Sequence, residues 1–108
     1  KAAYPISLRQ FREGNLAPAA VIEVGLDYGL DRLADNYDKL KNSGVKNTYL
    51  LHFARPTGQH QDGVEDFIQR AIASEASGGP KVAYASVSKN QIRYRHINAE
   101  KRLLTKTF

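Results

Sequence analysis

The sequence predicts an α/β fold: a mixed central sheet flanked by two helices, built from two βαβ crossovers and closed by a C-terminal β-hairpin. Three observations predict it. Two stretches, 30–43 and the one opening at Gly63, repeat apolar residues at helical spacing. Three short apolar runs, 19–26, 48–54 and 82–87, alternate with those helices along the chain. Residues 91–97 then alternate apolar and polar, as a hairpin strand does.

Taken in order, residues 4–11 read as a first strand, with Pro5 arguing against its opening residues and Glu13, Gly14 and Asn15 turning the chain toward Ala19. The run 19–26 is broken only by Glu23 and Gly25, and 48–54 only by His52, which predicts central strands covered on both faces. Between them Leu30, Leu33, Ala34, Tyr37 and Leu40 line one side of a helix. Asp35 and Lys39 stand four apart in the favourable order, and Gly44 follows as a left-handed stop. The loop 55–61, with His60, leaves the carboxyl end of a central strand, where open α/β sheets bind ligands. Val64, Phe67, Ile68, Ala71 and Ile72 form the stripe of the second helix, with Asp62 and Glu65 as a capping box and 77–80 as its end. Right-handed crossovers then make the three apolar strands parallel. In 91–97, Ile92 and Tyr94 are expected on the core face beside His96, and Gln91, Arg93 and Arg95 on a wet face.

A chain of 108 residues holds one core, and a composition of 42% hydrophobic and 25% charged residues is that of a folded, water-soluble domain. No apolar run approaches the roughly 20 residues that span a bilayer, so a membrane partner is not expected. The absence of cysteine removes disulfides, thiolate metal sites and cysteine nucleophiles. No targeting segment is visible, which with the lack of cysteine points to the cytoplasm or nucleus.

The net charge of +5 is concentrated at one end: residues 81–108 hold seven basic side chains against the single acid Glu100, whereas the first 80 are within one charge of neutrality. A basic quarter on a neutral body is the footprint of a protein that meets phosphates. Lys89, Arg93, Arg95, Lys101, Arg102 and Lys106 are therefore the candidate nucleic-acid-binding residues. The alternative is a non-catalytic interaction module whose basic tail docks on an acidic protein, and a homodimer is compatible with either.

Glu23 is the candidate for chemistry, because a carboxylate inside an apolar strand is costly unless paired, protonated or bound to a cation. Asp27 follows at the strand end and Glu13 lies ten residues back across a hairpin. Gathered carboxylates could hold Mg²⁺ or Mn²⁺ for phosphodiester hydrolysis. His52 reads as a satisfied core imidazole. No serine sits in a nucleophile elbow, and Gly78-Gly79-Pro80-Lys81 is not a Walker loop.

The succession of a hairpin, the strand Ala20-Val21-Ile22-Glu23-Val24, an amphipathic helix and the strand Tyr49-Leu50-Leu51-His52-Phe53 resembles the PD-(D/E)xK, or restriction-endonuclease-like, superfamily. The resemblance implies a nuclease-like domain acting on nucleic acid, DNA ahead of RNA, with Mg²⁺ or Mn²⁺ held by Glu23 and Glu13, or a degenerate relative. Gly25 stands where the family has its catalytic lysine, so the following helix would supply one, Lys39 or Lys41.

Overall fold

In the computed structural model, which describes residues 19–55 and 63–108, five strands hydrogen-bond in the order in which they occur along the chain. They are β1 (Val21–Leu26), β2 (Thr48–Ala54), β3 (Lys81–Val87), β4 (Gln91–Arg95) and β5 (Leu104–Thr107). β1, β2 and β3 run parallel, while β4 and β5 are antiparallel additions. Helix α1 (Leu30–Lys41) crosses from β1 to β2, and α2 (Val64–Ser74), prolonged by a 3-10 turn over Glu75–Ser77, crosses from β2 to β3. The fold is thus the expected α/β arrangement with two βαβ units. The expected front strand 4–11, Glu13 in its turn, and the loop residues His60 and Asp62 lie outside the described residues.

Both crossovers advance the sheet in the same direction, and a right-handed connection then puts both helices on the same face. The two helices touch each other, and Tyr37 of α1 meets Phe67 of α2 edge to face at 5.4 Å. Their apolar stripes, Leu33, Tyr37 and Leu40 on one and Val64, Ile68, Ala71 and Ile72 on the other, close over Val21, Leu50, Val82 and Tyr84 of the sheet. The opposite face has no helix among the described residues. β1 accordingly alternates buried and exposed along its whole length, with Ile22 56%, Val24 54% and Leu26 72% accessible. Apolar runs in the sequence suggested cover on both faces; among the described residues the helices cover only one.

Local signals set the ends of the elements. Gly44 adopts the left-handed conformation expected after α1, and Ser43 Oγ donates to the Leu40 carbonyl at 2.8 Å. The start of α2 differs from the expected capping box. Gly63 takes the N-cap position at φ 75°, a conformation that disfavours any side chain, and no side chain caps the helix. Glu65 instead accepts hydrogen bonds from Arg93 and from the Tyr84 hydroxyl.

The hairpin strand faces opposite to expectation. Register pairs Arg95 with Tyr84 and Arg93 with Ser86, both on the helix-covered side, which sends Ile92 and Tyr94 to the open face. The cause is a set of carboxylates in the helix layer. Arg95, 2% exposed, uses all five guanidinium hydrogens. Nη1 donates to Glu75 Oε2 and the Val82 carbonyl, Nη2 to Glu75 Oε1 and the Ala99 carbonyl, and Nε to the Glu100 carbonyl. Glu75 Oε2 also accepts the Val82 amide at 2.8 Å. One ion pair thereby fastens the end of α2, β3, β4 and the loop before β5. Arg93 donates through Nε to both oxygens of Glu65 at 2.9 and 3.0 Å and through Nη1 to Thr105 Oγ1. The fifth strand, within what the sequence showed only as a basic tail, is carried on these contacts and on buried Leu103.

Removing one member of a buried pair leaves the other charged and unpaired, at a cost of about 3–5 kcal/mol. Arg95→Ala should therefore lower the free energy of unfolding by that amount, and Arg95→Lys, which keeps the charge but loses the fork, should recover only part of it. Equilibrium unfolding of both variants checks this. A loss of unfolding free energy under about 1 kcal/mol in Arg95→Ala would contradict the assigned role.

Candidate functional site

Alternation along β1 directs Glu23 toward the helices, where it is 7% exposed and its Oε2 has no hydrogen-bond partner. Burial raises its pKa, opposed by the positive charges of Lys39 and then Arg32 on α1. The structure thus brings two of the expected catalytic residues, Glu23 and Lys39, within electrostatic reach. It does not bring Asp27 into the same role. Asp27 closes β1 at φ 55° and accepts Nε and Nη2 of Arg55 at 3.2 and 3.1 Å and the Arg55 amide at 3.2 Å, which ties the ends of β1 and β2 together.

Gly25 stands where the resemblance led a lysine to be expected, and the reason that it is glycine is visible. A Cβ there would lie 2.8 Å from Tyr28 Cδ2 and 2.9 Å from His52 Nδ1. Register aligns Gly25, His52, Tyr84 and Arg95 in one row beneath the helices. The His52 ring stacks on Tyr84 at 6.1 Å and tilts against Tyr28 at 6.0 Å, fully buried. Neither of its nitrogens has a partner, contrary to the satisfied imidazole expected from the sequence. Burial lowers its pKa, with Asp27 pulling the other way, so the neutral ring is favoured.

For Mg²⁺ or Mn²⁺, which take several oxygen ligands, the described residues do not assemble a donor set. Glu23 stands alone, Asp27 is engaged by Arg55, and Glu13 is outside the described residues. No group of three His, Cys, Asp or Glu side chains that could hold a metal ion occurs among the described residues.

The basic candidates separate into two sets. Arg95 is buried and Arg93 is committed to Glu65, so neither presents the wet phosphate-binding face expected of them. Lys89, Lys101, Arg102 and Lys106 are exposed, Arg102 with an exposed ion pair to Glu100 at 3.0 Å. Lys106 lies opposite Ile92, on the open face of the sheet.

That open face is the surface that sequence reasoning missed. Its strand positions are Ile22, Val24 and Leu26 on β1, Tyr49, Leu51 and Phe53 on β2, Lys81, Ala83, Ala85 and Val87 on β3, Ile92 and Tyr94 on β4, and Leu104 and Lys106 on β5. None is acidic. The acidic residues of the described chain lie instead on the two helices, in the 3-10 turn, at buried Glu23, at Asp27 and in the loop at Glu100. His96, expected in the core, is exposed beside Tyr94, their rings meeting at 5.4 Å and 66°. Applying the handedness rule to both crossovers together would have revealed this face. Comparison with family models, with curated proteins and with solved structures gives no match, so function must be read from these residues themselves.

Two outcomes follow for the buried groups. Gly25→Ala should destabilise the fold by about 1–3 kcal/mol through overpacking, and Gly25→Lys, with a much larger side chain, should destabilise it further; thermal melts decide this. Glu23, with a raised pKa, contributes stability below its unfolded value near 4.5 that is lost as pH rises through the folded value. His52, with a lowered pKa, contributes stability above 6.5 that is lost as pH falls. Glu23→Gln removes only the first effect, so its melting temperature relative to the parent should rise between pH 4.5 and 8. A constant difference across that range would contradict the burial of an ionising carboxylate.

Proposed function

We propose that the chain is a nucleic-acid-binding domain whose contact surface is the open face of its sheet. The observation that supports this is that the strand positions of the open face carry no acid, the described acids lying on the helices, in the 3-10 turn, at buried Glu23, at Asp27 and in the loop at Glu100. Five strands present no acid on the open side but do present Lys81 and Lys106, with Lys89 at the adjoining turn. A phosphate chain laid there meets cations and no competing carboxylate, which favours encounter as well as binding.

On this reading the β1–α1–β2 unit is a degenerate restriction-endonuclease-like core, in which Glu23 persists and Lys39 supplies the positive charge that position 25 has no room to hold. Metal-dependent cleavage is the further step that the resemblance carries, and it would need Glu13 beside Glu23. A second reading, docking of a protein, is favoured by one observation, the exposed apolar row Ile22, Val24 and Leu26 on β1.

Neutralised phosphates release counterions, so the logarithm of affinity should fall linearly with the logarithm of salt concentration, by about 0.7 per contact on single strands and 0.9 on duplex DNA. Lys81→Gln combined with Lys106→Gln should reduce that slope by about 1.4–1.8 without changing thermal stability appreciably. Titration of labelled oligonucleotides over a range of salt measures both. A protein that retains no oligonucleotide at low salt is not what this reading describes.

A further inference from the structure

Resting on the nucleic-acid reading above, we propose that the ligand of the open face is single-stranded, with its bases stacked on Phe53 and Tyr94 across β3. Register sets Phe53, Ala85 and Tyr94 in one row across three neighbouring strands. Two strand spacings separate the aromatic residues by about 10 Å between backbones. Ala85 between them, and Ala83 in the next row on that face, are too small to fill the gap. The result is an open trough of about 570 Å³ with an alanine floor, Phe53 on one side and Tyr94 and His96 on the other. Phe53 is 41% exposed, an unfavourable condition for a phenyl ring with no ligand and a favourable one for a ring awaiting a flat partner. Tyr94 is braced by the edge contact with His96.

Charge is arranged around this trough in the same sense. Lys106 lines it. Lys81 lies four residues before Ala85 on β3, about 13 Å along the strand, in the same row as Tyr49. Aromatic rings flanked by cations, on a sheet face whose strand positions carry no acid, can take unpaired bases by their faces and the backbone by its phosphates. Duplex bases have both faces covered by their own neighbours and cannot stack on side chains in this way. The aliphatic row on β1 borders the trough, with Leu26 beside Phe53, but supplies no ring and no cation itself; the trough, which has both, is the part that fits a nucleic acid rather than a protein.

The test is fluorescence anisotropy of the intact chain with a labelled dT12 strand, a labelled rU12 strand and a 12-base-pair duplex. The parent should bind the single strands more tightly than the duplex. Phe53→Ala and Tyr94→Ala should each lose about 5- to 150-fold in affinity for the single strands. Tyr94→Phe, which keeps the ring, should bind as the parent does. Where an alanine variant fails to fold, Phe53→Leu and Tyr94→Leu keep the apolar bulk without a π face and should show the same loss. Binding that falls in Lys81→Gln/Lys106→Gln but is unchanged in the aromatic variants would overturn stacking and leave the charge-based reading standing. Preference for the duplex would also overturn it. Retention of no oligonucleotide would overturn both readings. A parent that sediments as a dimer, dissociates on Phe53→Ala and is unaffected by dT12 would assign the trough to a second copy of the chain.

Discussion

Two successive right-handed crossovers that step across a sheet in one direction leave their helices side by side on one face. In this chain that constraint decides the character of every strand. Val21, Leu50 and Val82 meet helices and are buried, while their neighbours Ile22, Leu51 and Ala83 turn the other way. The helix layer also determines where charge can be accommodated. Glu65 and Glu75 project from α2 and its 3-10 extension toward β4, and the arginines of β4 turn to meet them. The orientation of Tyr94 is then a consequence, because neighbours of inward residues on a strand point outward.

The C-terminal strands lie beyond the helices in the sheet order and have little apolar cover to hold them. Polar contacts do much of that work. Arg95 joins four parts of the chain, and Arg93 bridges α2 and β5 through Glu65 and Thr105. The Tyr84 hydroxyl donates to the same Glu65 carboxylate at 3.3 Å, and burial together with that carboxylate pushes the phenol up to about 12. Aliphatic packing thus holds β1 to β3 and hydrogen-bonded charge holds β4 and β5. The two regions meet at Tyr84, which stacks on His52 on one side and is paired with Arg95 on the other.

Much of this architecture was legible because periodicity and end signals are local. The stripe through Leu33, Tyr37 and Leu40 and the stop at Gly44 needed no knowledge of the rest of the chain, nor did the three apolar strands. Errors arose where a side chain's direction depended on a distant partner. Arg93 and Arg95 look solvated in a strand that alternates, and only Glu65 and Glu75, each 20 or more residues away, reverse that reading. Near-continuous apolar runs such as 19–26 likewise look doubly covered until the two crossovers are placed together. The buried site was half legible: Glu23 stood out as a carboxylate in an apolar run, but the crowding of Gly25 by Tyr28 and His52 comes from elements on either side of it.

The saturation of the Arg95 guanidinium also bears on how the chain can change its sequence. Every hydrogen of that group is used, and both oxygens of Glu75 accept from it. No conservative exchange at either position preserves the set, since lysine lacks the fork and aspartate the reach. Replacement of both residues by apolar ones of similar volume is physically permitted, because it leaves no charge behind. Drift at positions 75 and 95 is therefore coupled: related chains should carry either the arginine with the glutamate or neither, and a lineage passing between these states must cross an intermediate with an orphaned charge in its interior.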